Sequence, residues 1–325
     1  MKTRTIGSLT VSEIGLGCMN MSMGYGKADD AESKKLLNEA LDVGYTFLDT
    51  AQVYGSGHNE SLIGEALEQR RNEYILATKC GLSREAGING DPAGIMESCE
   101  KSLKRLRTDV IDLYYLHRVD PNIPIEESTG ALAKLVEQGK VREIGLSEVC
   151  SETLRRAHKV HPIAALQSEY SLWSRTPERG ILDVCDELGV TMVPFSPLGR
   201  AFLTGKATDV TKMSEGDLRT TIGRPRFEPE AFEQNSKLLI PFAEIAEQNN
   251  CTMAQLALAW LLHRENSIPI PGTKHMEYMK ENAGGSGVNL SAETVNALDN
   301  LINEDTVIGH RYNDARMADT DSERD

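Results

Sequence analysis

Eight short apolar runs, separated by longer stretches with helical spacing, constrain this chain more than any other feature. The runs cover residues 13–16, 46–49, 74–78, 110–116, 141–146, 165–169, 191–194 and 267–270. Each has the length of a buried strand, and the intervening segments carry helix periodicity and punctuation. Leu36, Leu37, Ala40 and Leu41 make one apolar stripe, with Gly44 where a helix C-cap belongs. Asp91-Pro92 opens another helix, with proline at its first position, running through Cys99, Leu103 and Leu106. This alternation predicts parallel strands joined by helical crossovers. Eight such units predict an α/β fold of the (β/α)8 TIM-barrel type, one domain spanning residues 1–325.

The competing architecture is an open doubly wound sheet, which normally announces itself by G-x-G-x-x-G after its first strand. Here the first strand ends in Gly15-Leu16-Gly17-Cys18-Met19-Asn20, without the third glycine. Gly55-Ser56-Gly57 and Gly285-Ser286-Gly287 fail at the same place, and no P-loop sequence occurs. The barrel is therefore preferred. Two additions are expected. Residues 3–11, turning at Gly7-Ser8, read as an N-terminal β-hairpin that plugs the barrel floor. Residues 198–232, rich in Gly, Pro, Thr and charge, read as a long active-site loop that covers a ligand. The polar end of the chain, residues 319–325, is expected to be mobile.

Charge and cysteine usage narrow the function classes. The 49 acidic residues outnumber 35 Lys and Arg, a net charge of −14 that disfavours nucleic acid and anionic membrane as partners. An anionic cofactor must then meet a local basic pocket. No apolar run approaches the roughly 18 residues of a membrane span. The start of the chain lacks the apolar core of a signal peptide. Cys18, Cys80, Cys99, Cys150, Cys185 and Cys251 are scattered, with no C-x-x-C pair, which suits a reducing, cytoplasmic setting. Nothing in the sequence sets the oligomeric state.

Barrel enzymes carry their chemistry at the carboxyl ends of the strands. Asp49 ends the second run, Lys79 follows the third, His117 follows the fourth, and Tyr54 lies in the loop after Asp49. Singly, each has an ordinary reading as a turn residue, a solvated cation or a satisfied core group. Together they make a buried Asp49–Lys79 ion pair with a phenol in reach. Reducing a carbonyl group needs a hydride donor and a proton donor for the oxygen. An ammonium beside Tyr54 favours the phenolate and so eases proton release. His117, as a neutral donor, would orient the carbonyl oxygen.

At these residues the sequence resembles the aldo-keto reductases. The run from Gly44 to Gly55 is similar to that family's first signature, and Asn59-Glu60-Ser61-Leu62-Ile63-Gly64 continues it. The resemblance implies a catalytic tetrad of Asp49, Tyr54, Lys79 and His117, and a nicotinamide cofactor, NADPH with NADH as the lesser possibility. It assigns Gly17, Cys18, Met19 and Asp49 to the cofactor's neighbourhood, and Ser147 and Gln167 to its carboxamide. Tyr170, with Trp173 close by, takes the place of the aromatic ring under the nicotinamide. Phe195, Ser196, Pro197, Leu198 and Gly199 resemble the pyrophosphate segment. Ile270, Gly272, Thr273, Lys274, Tyr278, Glu281 and Asn282 resemble the adenosine 2′-phosphate and adenine segment. The Gly-Thr-Lys form and His310-Arg311-Tyr312 look most like the microbial and plant branch. Two departures stand out: Glu148 follows Ser147 where Asn is common, and Tyr278 stands where many members have Arg. Lys274 is accordingly the expected principal phosphate cation.

The implied activity is reduction of a small aldehyde or ketone. The resemblance also admits alcohol oxidation, and a nucleotide-binding regulatory barrel like the potassium-channel β subunits. Other motifs fail on inspection. Gly145-Leu146-Ser147-Glu148-Val149 lacks the last glycine of a nucleophile elbow. His158 and His161 have helical spacing but no third ligand, so no metal is expected. Met19, Met21 and Met23 fall in the first βα loop, where they are expected to form an adaptable apolar wall.

Overall fold

The computed structural model describes every residue except 208, 215 and 319. Seven parallel strands form its central sheet: β3 (Leu16–Gly17), β4 (Phe47–Asp49), β5 (Ile75–Cys80), β8 (Ile111–Leu116), β9 (Val141–Ser147), β10 (Ala165–Glu169) and β11 (Thr191–Phe195). Their order in space follows their order in sequence, as right-handed βα crossovers require. The expected eighth run closes the ring through fewer bonds. Ile268 N donates to Met192 O at 2.9 Å and Ile270 N to Pro194 O at 3.0 Å. On its other edge Gly15 N donates to Pro269 O at 2.9 Å and Gly17 N to Pro271 O at 3.3 Å. Pro269 and Pro271 have no N–H to give back, so this edge only accepts and the ladder stays incomplete. At the seam, a Cβ on Gly17 would lie 2.8 Å from the Ile270 carbonyl oxygen, and only glycine permits that approach.

The hairpin occupies its expected place. Strands β1 (Thr3–Ile6) and β2 (Leu9–Ser12) pair antiparallel, and Gly7 takes φ +54° in the turn. Ile6, Leu9 and Val11 pack with Phe47, Ala77, Leu113, Tyr115, Val193 and Ile268, the inward side chains of the barrel. A second apolar layer lies between the strands and the surrounding helices. Helix α1 (Asp30–Val43) buries Leu36, Leu37, Ala40 and Leu41 and ends on Gly44 at φ +104°. Helix α2 (Pro92–Leu106) starts on Asp91, whose carboxylate accepts from Gly94 N at 2.9 Å. A short hairpin of β6 (Leu82–Ser83) and β7 (Gly87–Ile88) follows β5.

The end of the chain departs from expectation. Residue 319 lies outside the described residues, but 320–325 are docked rather than free. Asp321 accepts from Cys150 N at 2.9 Å, and Asp325 from Ser151 N at 3.0 Å. These N–H groups open the helix Ser151–Val160, where unsatisfied donors attract carboxylates. Ser322 Oγ donates to the buried Glu148 at 2.6 Å. Composition suggested a solvated tail because its acidic residues have partners only in the folded barrel.

Candidate active site

The strands deliver Asp49, Lys79 and His117 to one end of the barrel, at the ends of β4, β5 and β8. Tyr54 reaches the same point from a tight turn. Gly55, Ser56 and Gly57 all take positive φ there (61°, 54° and 92°), which bends the chain so that the phenol points back over β5. Lys79 Nζ donates to Asp49 Oδ1 at 2.5 Å and to Thr50 O at 2.7 Å, and it stands 3.5 Å from the Tyr54 hydroxyl. The Lys79 side chain is fully buried and that of Asp49 nearly so. Gln167 Nε2 donates to the other Asp49 oxygen at 2.8 Å. A buried ion pair is stable only when the remaining lone pairs and protons are also satisfied, and here they are.

Electrostatics separate the roles of these groups. Burial opposes the charge on Lys79, but Asp49 outweighs it and raises the ammonium above its ordinary value. Burial also raises the Tyr54 phenol, against the pull of Lys79. Burial therefore wins over the expected depression, and Tyr54 holds its proton at neutral pH. His117 moves the other way: burial, then the charges of Arg118, Lys79 and Arg316, push it well below the usual histidine value. Its ring is neutral, and Nδ1 has no partner among the described residues. The Tyr54 and His117 rings meet edge to face with centroids 6.1 Å apart.

These residues open into a cleft of about 510 Å3, within the usual range for ligand sites. Gly17, Met19, Asp49, Ser147, Gln167, Phe195, Ser196, Pro197 and Leu198 line it. So do Ile270, Gly272, Thr273, Lys274, Tyr278, Glu281 and Asn282. The 198–232 segment covers one side, contributing Arg200, Lys206, Leu218 and Arg219 among others. It is tied across the cleft to the first βα loop: Leu218 N donates to Gly24 O at 2.9 Å, and Arg219 lies over Tyr25. Met19 and Met23 face the cleft, whereas Met21 is buried in the core.

Three expected cofactor residues are not on this surface. Cys18 is buried, with its thiol directed to Leu16 O. Gly199 turns the chain against the Trp173 ring. Tyr170 points outward, its hydroxyl donating to Glu178 at 2.8 Å and its ring packed on Trp260. Trp173 is likewise buried, stacked on Phe202. Phe195 is the aromatic ring that the strand ends bring to the cleft. Strand alternation explains the exchange, because Phe195 ends β11 while Tyr170 already lies beyond β10.

Glu148 is also accounted for. It sits at φ +55°, fully buried, and is held by Arg311 through Oε2 at 2.6 Å and Oε1 at 3.1 Å. Burial would raise its carboxyl, but Arg311 and the attached hydrogen bonds bring it down to about 2. Arg311 thus braces the chain directly after Ser147, and Glu148 does not line the cleft. Lys274 does reach the cleft, where Nζ donates to Tyr25 O at 2.9 Å and Lys27 O at 2.6 Å. Sequence reasoning missed Arg118, Tyr312 and Arg316. Arg118 adjoins His117 and had a local signal, whereas Tyr312 and Arg316 lie in a segment without periodicity.

Comparison with known proteins agrees with this geometry. The model of the "Aldo/keto reductase family" matches residues 13–303. The chain is 44% identical over 321 residues to "Aldo-keto reductase yakc [NADP(+)]" of Schizosaccharomyces pombe, covering 95% of this chain and 94% of that one. Among solved structures, the glycerol dehydrogenase AKR11B4 of Gluconobacter oxydans superposes with a TM-score of 0.85 at 30% identity, covering 92% and 94% of the two chains. An aldo/keto reductase of Klebsiella pneumoniae, in complex with NADP and acetate, superposes at 0.74 and 27% identity, covering 95% and 98%.

The buried pair predicts a stability effect. Removing one member strands the other charge in the interior, which costs about 3–5 kcal/mol in well-buried cases. Lys79→Ala and Asp49→Ala should therefore lower the melting temperature, and Lys79→Met, which keeps the apolar stem, should lower it less. Melts of the Ala variants that coincide with wild type would show the pair to be solvated.

Proposed function

This chain belongs to the aldo-keto reductase family, and on that premise we propose that it reduces an aldehyde or ketone with NADPH, Tyr54 supplying the proton. The observation that carries the reading is the convergence of a protonated phenol, a buried ammonium and a neutral imidazole on one wall of the cleft. NADPH, when bound, supplies the hydride that adds to the carbonyl carbon. The carbonyl oxygen then takes the Tyr54 proton, and Lys79 stabilises the phenolate left behind. Neutral His117 donates to that oxygen and fixes its direction without competing as an acid.

Features along the cleft suit the cofactor. Ser147 and Gln167 can hold an amide, and Phe195 offers a flat apolar face. The helix Met276–Ala283 begins beside Thr273 and Lys274, so its N-terminal N–H groups and the ammonium favour a phosphate. The S. pombe relative's name specifies NADP(+), which agrees with a basic residue at this end.

Three outcomes follow. Tyr54→Phe should lower turnover by about 10²–10⁴, the scale of a positioned acid, with little change in NADPH affinity. A variant retaining half of wild-type turnover would remove Tyr54 from the chemistry.

Because His117 is already neutral well below its ordinary value, kcat/KM for reduction should show no break near pH 6.5 on acidification. A protonation step centred there, abolished in His117→Gln, would contradict a neutral donor.

Lys274→Ala should weaken NADPH about tenfold or more and leave NADH nearly unchanged, since one charge-assisted contact contributes about 1.5–3 kcal/mol. Dissociation constants from fluorescence quenching decide it. Equal losses for both nucleotides would mean that Lys274 only ties down the carbonyls of Tyr25 and Lys27.

A further inference from the structure

The cleft is basic in a strongly acidic protein, and its cations are not all at the nucleotide-phosphate end. Of those lining it, Arg200 is engaged by Glu169, Lys206 by Glu281 and Arg219 by Asp217. The acidic residues on the lining are Asp49 and Glu281, both already paired. Arg118, Lys274 and Arg316 remain, and none has an acidic partner among the described residues. Lys274 follows the closing strand, beside the helix N-terminus that suits a phosphate. Around the ring, β8 with His117 and Arg118 stands four strands away, on the opposite wall.

Arg118 adjoins His117 at the reacting end, and Arg316 lies on the same cleft lining. Arg118 Nη1 donates to His117 O at 2.6 Å and Ser147 Oγ at 3.2 Å, and its buried Nε has no partner. Arg316 comes from the C-terminal helix Asp314–Ala318, half-buried on the cleft lining, and its charge bears on the His117 ring. That helix is fixed from both sides, by the buried Arg311–Glu148 pair before it and the docked residues 320–325 after it. An arginine held over a catalytic cleft by buried ion pairs is a placed feature rather than a solvated surface charge. The same cleft lining includes the apolar side chains Met19, Met23, Val53 and Leu82.

We propose that the substrate is a carbonyl compound with an apolar body and an anionic group, carboxylate or phosphate, which Arg316 receives with Arg118 beside it. This rests on the reductase reading and adds the substrate class to it. Guanidinium groups match both anions with paired N–H donors, and the partly dry cleft strengthens the contact. The segment after residue 310 thus decides specificity, although it lies outside the strand-end residues that perform the reduction.

Matched substrate pairs test this with NADPH as donor: 4-carboxybenzaldehyde against methyl 4-formylbenzoate, and glyceraldehyde 3-phosphate against glyceraldehyde. Wild type should favour at least one anion by about 10- to 100-fold in kcat/KM, the scale of one charge-assisted contact. The pair that shows the preference identifies the anion. Arg316→Gln should reduce that ratio about tenfold or more, mainly through KM, and Arg316→Lys should restore part of it. A role only in packing the tail would lower the melting temperature and leave the ratio unchanged, and that result overturns the proposal. So would equal use of acid and neutral partners by wild type. If wild type reduces none of the four, nor other neutral aldehydes, the reductase reading itself fails.

Discussion

The Asp49–Lys79 pair is the constraint on which the rest of the site depends. Two charges this deeply buried persist only if every remaining donor and acceptor is answered, and the fold supplies the answers from three strands and a turn. Asp49 ends β4, Lys79 lies in β5, Gln167 comes from β10, and Thr50 and Tyr54 follow Asp49 in the chain. The pair therefore ties the barrel wall to the Tyr54 turn. Strong desolvation keeps the phenol protonated, while the adjacent ammonium is ready to accommodate a phenolate. A single arrangement of charge thus links strand register, local rigidity and acid chemistry.

A second level of organisation lies outside the strand ends. Glu148, Glu169, Arg200 and Arg311 form a buried network beneath the loops after β9 and β10. Arg311 brings the C-terminal segment into it, and Ser322 and Asp321 secure the far side. Because Glu148 directly follows Ser147, this network braces the cleft from behind. The same contacts place Tyr312 and Arg316 on its rim. The excess of acid over the whole chain repels anions, so the surplus of cations inside the cleft makes the site the local exception.

Much of this was legible in the sequence because strand and helix periods are local properties. Seven candidate strands match the central sheet to within a few residues, and the eighth is present with its ladder interrupted by Pro269 and Pro271. Asp49, Lys79 and His117 were readable as strand-end residues for the same reason. That Tyr170, Cys18 and Gly199 lie off the cleft lining was not legible, because position along the chain does not reveal which way a residue faces once the strand has ended. The docking of residues 320–325 was hidden, since their partners Cys150, Ser151 and Glu148 are more than a hundred residues away. Arg316 has no periodic context and was legible only in three dimensions.

The central claim is that hydride passes directly within this cleft from a nicotinamide to a carbonyl carbon. NADPH deuterated at C4 on one face or the other, turned over once with a carbonyl substrate in ordinary water, tests it most directly. The account predicts one deuterium on the new carbinol carbon, from one of the two faces only, and no exchange with solvent. Alcohol formed without label from either face, or label lost to water, would contradict it.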